Sequence, residues 1–125
     1  MNRTKTKKAP KAIGAYSQGT KVGSLVFTSG QIAINPESGD LVVDNFEDEL
    51  LQVLNNVEAV LKSAGSSKHS IVKLTVFLID FSKFNIVNNI FIKFFKDDFP
   101  ARSALEVSGL PLGVNVEIEA IGVIE

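Results

Sequence analysis

The sequence predicts an α+β domain built on a mixed sheet with two helices on one face. Three observations carry that prediction. Segments with strand and helix character follow one another as two strands, helix, strand, helix, two strands. Only two stretches have helical periodicity. The run Ile71 to Ile79 is apolar on both of its faces, as in a strand inside a covered sheet. The handedness of strand-to-strand crossovers places both helices on the same side. With 45% hydrophobic residues and nine phenylalanines, the uncovered side is expected to meet another copy of the chain. A homo-oligomer with its ligand site at a subunit junction follows.

Composition bounds the chemistry. The 125 residues make one domain, 1–125, large enough for a core without staples. A net charge of −1 gives no global field for nucleic acid or an anionic membrane, and neither is an expected partner. The absence of cysteine removes disulfides, thiolate nucleophiles and cysteine metal sites, and a single histidine removes multi-histidine clusters. No apolar run has the length of a membrane span, and the basic start lacks an apolar stretch behind it. The default expectation is a soluble cytoplasmic protein, with a mitochondrial location left open.

The elements follow in chain order. Arg3, Lys5, Lys7, Lys8 and Lys11 lie in a start without hydrophobic periodicity, so residues 1–8 are expected to be a flexible basic arm, either solvated or RNA-contacting. Ile13 to Gln18 is a glycine-bent loop with the only tyrosine, Tyr16. Leu25 to Thr28 reads as a strand ending at Ser29-Gly30. Gln31–Ile34 and Leu41–Val43 flank a turn-rich loop of the hairpin kind. Gly30 in an apolar run marks a bulge or a close backbone approach to a ligand.

Asp44 to Ala64 is the first helix, with Asp44 and Glu47 as a capping box and Leu50, Leu54, Val57 and Leu61 at helical spacing; Gly65 stops it. His69 lies in the polar connector that follows, as a general base or an inert loop residue. The strand Ile71 to Ile79 puts Val72, Leu74, Val76 and Leu78 on one face. Ser82 to Lys96 is the second helix, with Phe84, Val87, Phe91, Phe94 and Phe95 as its stripe. Asn88 falls on that stripe, where a polar group needs partners.

Two strand-like runs close the chain, Pro100 to Val107 and Val114 to Ala120, joined by a Gly/Pro turn. Alternation puts Arg102, Ala104 and Glu106 on one face of the first, and Glu117 and Glu119 together on one face of the second. An arginine in one strand and a carboxylate in the next suit the binding and hydrolysis of a small carboxylic acid. They equally suit a cross-strand ion pair on a solvated face.

The motifs Ile13–Gln18, Thr28–Ile32, Asn35-Pro36 with Gly39, Val72-Lys73, Val87-Asn88, Phe94-Phe95, Pro100–Ser103, Leu110-Pro111 and Val116–Ile121 occur in the order seen in the RidA/YjgF reactive-intermediate deaminase family, which the chain resembles from about Ala9 to its end. The resemblance implies a chorismate-mutase-like fold (ββαβαββ) and a homotrimer with three inter-subunit clefts. It implies hydrolysis of 2-imino acids such as 2-iminopropanoate and 2-iminobutanoate to 2-keto acids and ammonia, with no cofactor and no metal. Carried over by position, Arg102 binds the substrate carboxylate and Glu117 activates water, while Tyr16, Ser29, Gly30, Asn88 and Ala104 line the cleft. The preference for Glu117 over Glu119 rests on this resemblance. Arg102 beside Glu117 is expected to lower the carboxyl's pKa until substrate pairs with the arginine.

Four positions depart from the common family pattern: Ala15 for proline, Glu49 for glutamine, Phe91 for tyrosine and Ala104 for cysteine. Altered substrate preference is the expected consequence. Two other functions compete: an endoribonuclease or translation inhibitor, also attached to this family, and a non-catalytic binder of small carboxylates.

Overall fold

A computed structural model describes all residues, 1–125. Six strands and two helices make up the chain: β1 (Asn2–Thr4), β2 (Gly19–Val22), β3 (Leu25–Thr28), α1 (Phe46–Ser63), β4 (Ile71–Leu78), α2 (Phe84–Phe95), β5 (Ala101–Glu106) and β6 (Val116–Val123). They form one mixed sheet in the order β1-β2-β3-β6-β4-β5, in which only the β4–β5 pair is parallel. The α+β class and the pair of helices are as the sequence predicts.

The first helix follows its periodicity. Leu50, Val53, Leu54, Val57, Val60 and Leu61 are all buried, and removing each such side chain from water stabilises the fold by about 1.5–3 kcal/mol. Its cap is displaced by one residue from the expected box. Asn45 accepts from the Asp48 N–H at 2.8 Å and donates its amide to the Asp48 carboxylate. Asparagine caps as well as aspartate, so the neighbouring reading at Asp44 differed only in register. The second helix starts later than Ser82, because Phe81–Lys83 forms a 3₁₀ turn in which Asp80 accepts from Ser82 N–H.

The helices share one face of the sheet. Leu74, Val76 and Leu78 of β4, with Val116, Ile118 and Ala120 of β6, form a core with the α1 stripe and Val87, Phe91 and Phe95 of α2. Val72, expected on this face, is exposed, since a register shift between Ile71 and Lys73 turns it outward. The other face carries no helix. Register places Leu25, Phe27, Phe77, Leu105, Ile121 and Val123 on it, beside Lys73, Thr75, Ser103, Glu117 and Glu119.

Three further expectations are corrected. The start of the chain, read as a free arm, contributes β1, paired antiparallel to β2. The hairpin is β2–β3, turning at Gly23 with φ +57, whereas residues 31–43 make only isolated bridges, Gln31 to Ile118 and Ile34 to Leu41. The last two strands are not neighbours. β5 lies parallel on the outside of β4, and the connection crosses β4 so that β6 enters between β3 and β4.

Candidate active site

A cavity of about 340 Å³ opens beside the start of β6. One wall is the N-terminal segment with Pro10, Lys11, Ile13 and Tyr16. Another is the chain leaving β3, from Ser29 to Ile34. Pro111 and Glu117 complete it.

Gln18 holds the N-terminal wall in place. This buried amide accepts from Thr6 N–H at 2.7 Å and donates to the carbonyls of Pro10 at 2.7 Å and Thr6 at 3.0 Å. A glutamine that satisfies backbone groups 8 and 12 residues away fixes an otherwise irregular segment. Its sequence signal is slight, and its organising role emerges only from the fold. Tyr16 is 47% exposed, and its hydroxyl accepts from Ile13 N–H at 3.3 Å, which leaves the phenolic proton available. Ser29 donates its hydroxyl to the Ser17 carbonyl and its N–H to Gln18.

Gln31 and Ile118 exchange backbone hydrogen bonds at 2.8 and 3.1 Å, joining the loop to β6. That bridge brings Gly30 under the Glu117 side chain. A Cβ at Gly30 would overlap Glu117 Oε2 and come within 2.8 Å of its Cδ. The glycine therefore serves close approach, as the sequence allowed, but to a carboxylate of the same chain. Gly30 N–H has no partner within the chain.

Glu117 is half-buried, and its pKa is raised above the ordinary 4.5, first by desolvation and then by the nearby charge of Glu119. The expected depression by Arg102 is absent, and the shift runs the other way. Of the two candidate carboxylates only Glu117 lines this cavity. Glu119, though on the same face, borders a separate hollow with Lys73, Thr75 and Phe27.

Arg102 is elsewhere. It pairs with Leu74, whose side chain is in the core, so it shares the helix-facing side of the sheet. Its guanidinium lies over the rings of Phe84 at 5.0 Å and Phe91 at 5.3 Å. Burial lowers its pKa, yet an arginine remains charged in proteins. The chain's one ion pair is Lys62–Glu58, so Arg102 has no carboxylate partner. The ion-pair reading of Arg102 and Glu117 is thereby removed. Asn88 occupies the turn between Phe84 and Phe91 on the same face of α2. Ala104, two residues along β5, packs against the core beside Val76.

The seven candidate residues thus form two groups in one chain. Tyr16, Ser29, Gly30 and Glu117 surround the cavity, and Arg102, Asn88 and Ala104 gather between α2 and β5. Strand β4 and the thickness of the sheet separate them. The other departures have defined surroundings. Glu49 is wholly buried and accepts from Asn115 N–H at 2.8 Å and Nδ2 at 2.7 Å. Phe91 contacts Phe95 edge-on. His69 is exposed and lines neither hollow. No cluster of three or more histidine, cysteine or acidic side chains is arranged to hold a metal, and no helix is long and apolar enough to cross a membrane.

Residues 6–124 match the family model described as Endoribonuclease L-PSP. The chain is 46% identical over 118 residues to the 2-iminobutanoate/2-iminopropanoate deaminase of Homo sapiens, covering 94% of this chain and 86% of that protein. Among solved structures, E. coli TdcF with bound serine superposes with a TM-score of 0.95 at 40% identity, over 100% of both chains. The E. coli YjgF gene product gives 0.95 at 41% identity, again over 100% of both.

Proposed function

Given that the chain belongs to the endoribonuclease L-PSP family of RidA/YjgF proteins, we propose that it hydrolyses small 2-imino acids to 2-keto acids and ammonia. One observation carries this reading. Arg102, an unpaired cation on an aromatic bed, and Glu117, a carboxylate with a raised pKa in a cavity, lie on opposite faces of one sheet. One small substrate meets both only where two copies adjoin.

The assembly proposed is a homotrimer. The helix-free face with Phe27, Phe77, Leu105 and Ile121 packs against its equivalents. The β5 edge of one subunit then brings Arg102 to the Glu117 cavity of the next. Such a head-to-tail contact closes into a ring when the rotation permits, and it creates one cleft per junction.

In that cleft the Arg102 fork holds the substrate carboxylate. A charge-assisted hydrogen bond of this kind contributes about 1.5–3 kcal/mol. Glu117 removes a proton from a water molecule as its oxygen bonds to the imine carbon. The C–N bond then breaks, both water protons end on nitrogen, and keto acid and ammonia leave. A carboxylate whose pKa is raised is a stronger base than an ordinary one, and general-base assistance is typically worth about 10²–10⁴-fold. The Tyr16 hydroxyl proton and Gly30 N–H are available to orient the imine, and Asn88 lies beside the carboxylate end.

The test is ammonia release from an imine generated in situ by a serine or threonine dehydratase. Wild type is expected to accelerate it, Arg102→Ala to abolish the acceleration through KM, and Glu117→Gln to reduce kcat. Binding of 2-oxobutanoate that survives in Glu117→Gln without any wild-type acceleration would instead favour a carboxylate-binding protein.

A further inference from the structure

The cavity contains one cation, Lys11, and the mechanism above gives it no role. Lys11 is exposed at the rim rather than on a free arm. The carbonyl just before it, that of Pro10, accepts from Gln18 at 2.7 Å, so its backbone is fixed to the wall. Its ammonium takes part in no ion pair, and the charge that acts on Glu117 is Glu119. Lys11 and Glu117 line the same cavity, whose walls also carry Ile13, Ile32, Ile34 and Pro111. A molecule bound at Glu117 therefore shares its cavity with an unpaired cation.

Resting on the deaminase reading, we propose that this site takes 2-imino dicarboxylates, with the distal carboxylate held by Lys11. Arg102 of the adjoining copy holds the α-carboxylate, so each anionic group has its own cation. The chemical step is unchanged: water oxygen bonds to the imine carbon, the C–N bond breaks, and both water protons pass to the nitrogen. The products are a 2-keto dicarboxylate and ammonia. The reaction supplying such a substrate is dehydrogenation of an acidic amino acid, which leaves an imine at the α-carbon.

The experiment compares imines made in situ by flavin oxidases from aspartate and from alanine, using wild type, Lys11→Ala and Lys11→Arg. The ratio of kcat/KM for the dianionic over the monoanionic imine is expected to fall about fivefold in Lys11→Ala, the scale of an exposed ion pair, and to recover in Lys11→Arg. The change is expected in KM, with added salt shrinking it. Calorimetry of 2-oxoglutarate against 2-oxobutanoate, in a Glu117→Gln background without turnover, is expected to give the same fivefold loss with Lys11→Ala. An unchanged ratio in both assays overturns the role of Lys11. No acceleration of either imine overturns the deaminase reading and the dicarboxylate substrate with it, and the calorimetry then still decides whether Lys11 holds a second anion.

Discussion

The Glu117 carboxylate lies directly over Gly30, with no room between them for even a methyl group. The contact joins the loop after β3 to the start of β6, and it fixes the proposed base against a wall rather than leaving it free above the sheet. Gly30→Ala is therefore expected to displace the carboxylate and to lower kcat about 10–100-fold, the usual cost of misplacing a reacting group. Shortening the acid in Gly30→Ala/Glu117→Asp relieves the overlap, so thermal melting is expected to show the double variant more stable than Gly30→Ala alone.

The raised pKa of Glu117 sets two pH dependences. The base must be ionised, so the acidic limb of kcat/KM is expected above pH 4.5, and Glu119→Gln moves it downward by removing the neighbouring charge. For stability the sign is opposite to that of a salt-bridged acid. Folded Glu117 binds its proton more tightly than the unfolded chain does, so stability falls as pH rises from 4.5 through the folded pKa. Glu117→Gln is expected to melt higher than wild type at neutral pH, with the difference gone below pH 4.5.

Arg102 is held by rings, not by an acid. Phe84→Leu removes one of its two aromatic contacts and is expected to raise KM about two- to fivefold with kcat little changed, the scale of a partly exposed cation–π pair. Arg102→Lys, which loses the planar fork, is expected to raise KM further. Steady-state kinetics on one imine checks both.

Gln18 anchors the wall that holds Tyr16 and Lys11. Gln18→Ala leaves Thr6 N–H and the Pro10 carbonyl without their partner, and is expected to cost about 1–3 kcal/mol of stability. Hydrogen exchange at the Thr6 amide, fast in the variant and slow in wild type, distinguishes loss of this anchor from general loosening.

Much of the fold was legible because its long elements carry strong periods. The stripe from Leu50 to Leu61 and the apolar run from Leu74 to Leu78 each have one physical solution, and both lie where their spacing demands. The short edge strand β1 was not legible. Asn2-Arg3-Thr4 has no apolar alternation, and its pairing with β2 is backbone hydrogen bonding that any sequence can make. The segment 31–43 misled in the other direction, since Ala33 and Val42 join the core without forming a ladder. Asn56 takes up the carbonyls of Ile32 and Ile34 instead.

The candidate site was legible as chemistry but not as geometry. By type alone an arginine and a glutamate allow either carboxylate binding or an ion pair, and it is the family resemblance that assigns roles to Arg102, Glu117 and Tyr16. Alternation assigns Arg102 and Glu117 each to a face of its own strand, but it does not say which strands are neighbours. The crossing of β4 between β5 and β6 is a tertiary choice, and it puts Arg102 and Glu117 on opposite faces.

That separation makes the central claim directly measurable. Arg102→Ala and Glu117→Gln chains, each impaired alone, are co-expressed under two affinity tags and purified as mixed oligomers. If each cleft joins Arg102 of one copy to Glu117 of the next, every mixed trimer carrying both tags has both residues restored in about one third of its clefts. Deaminase activity near one third of wild type is the predicted result. Mixed oligomers no more active than their parents would contradict a cleft shared between copies.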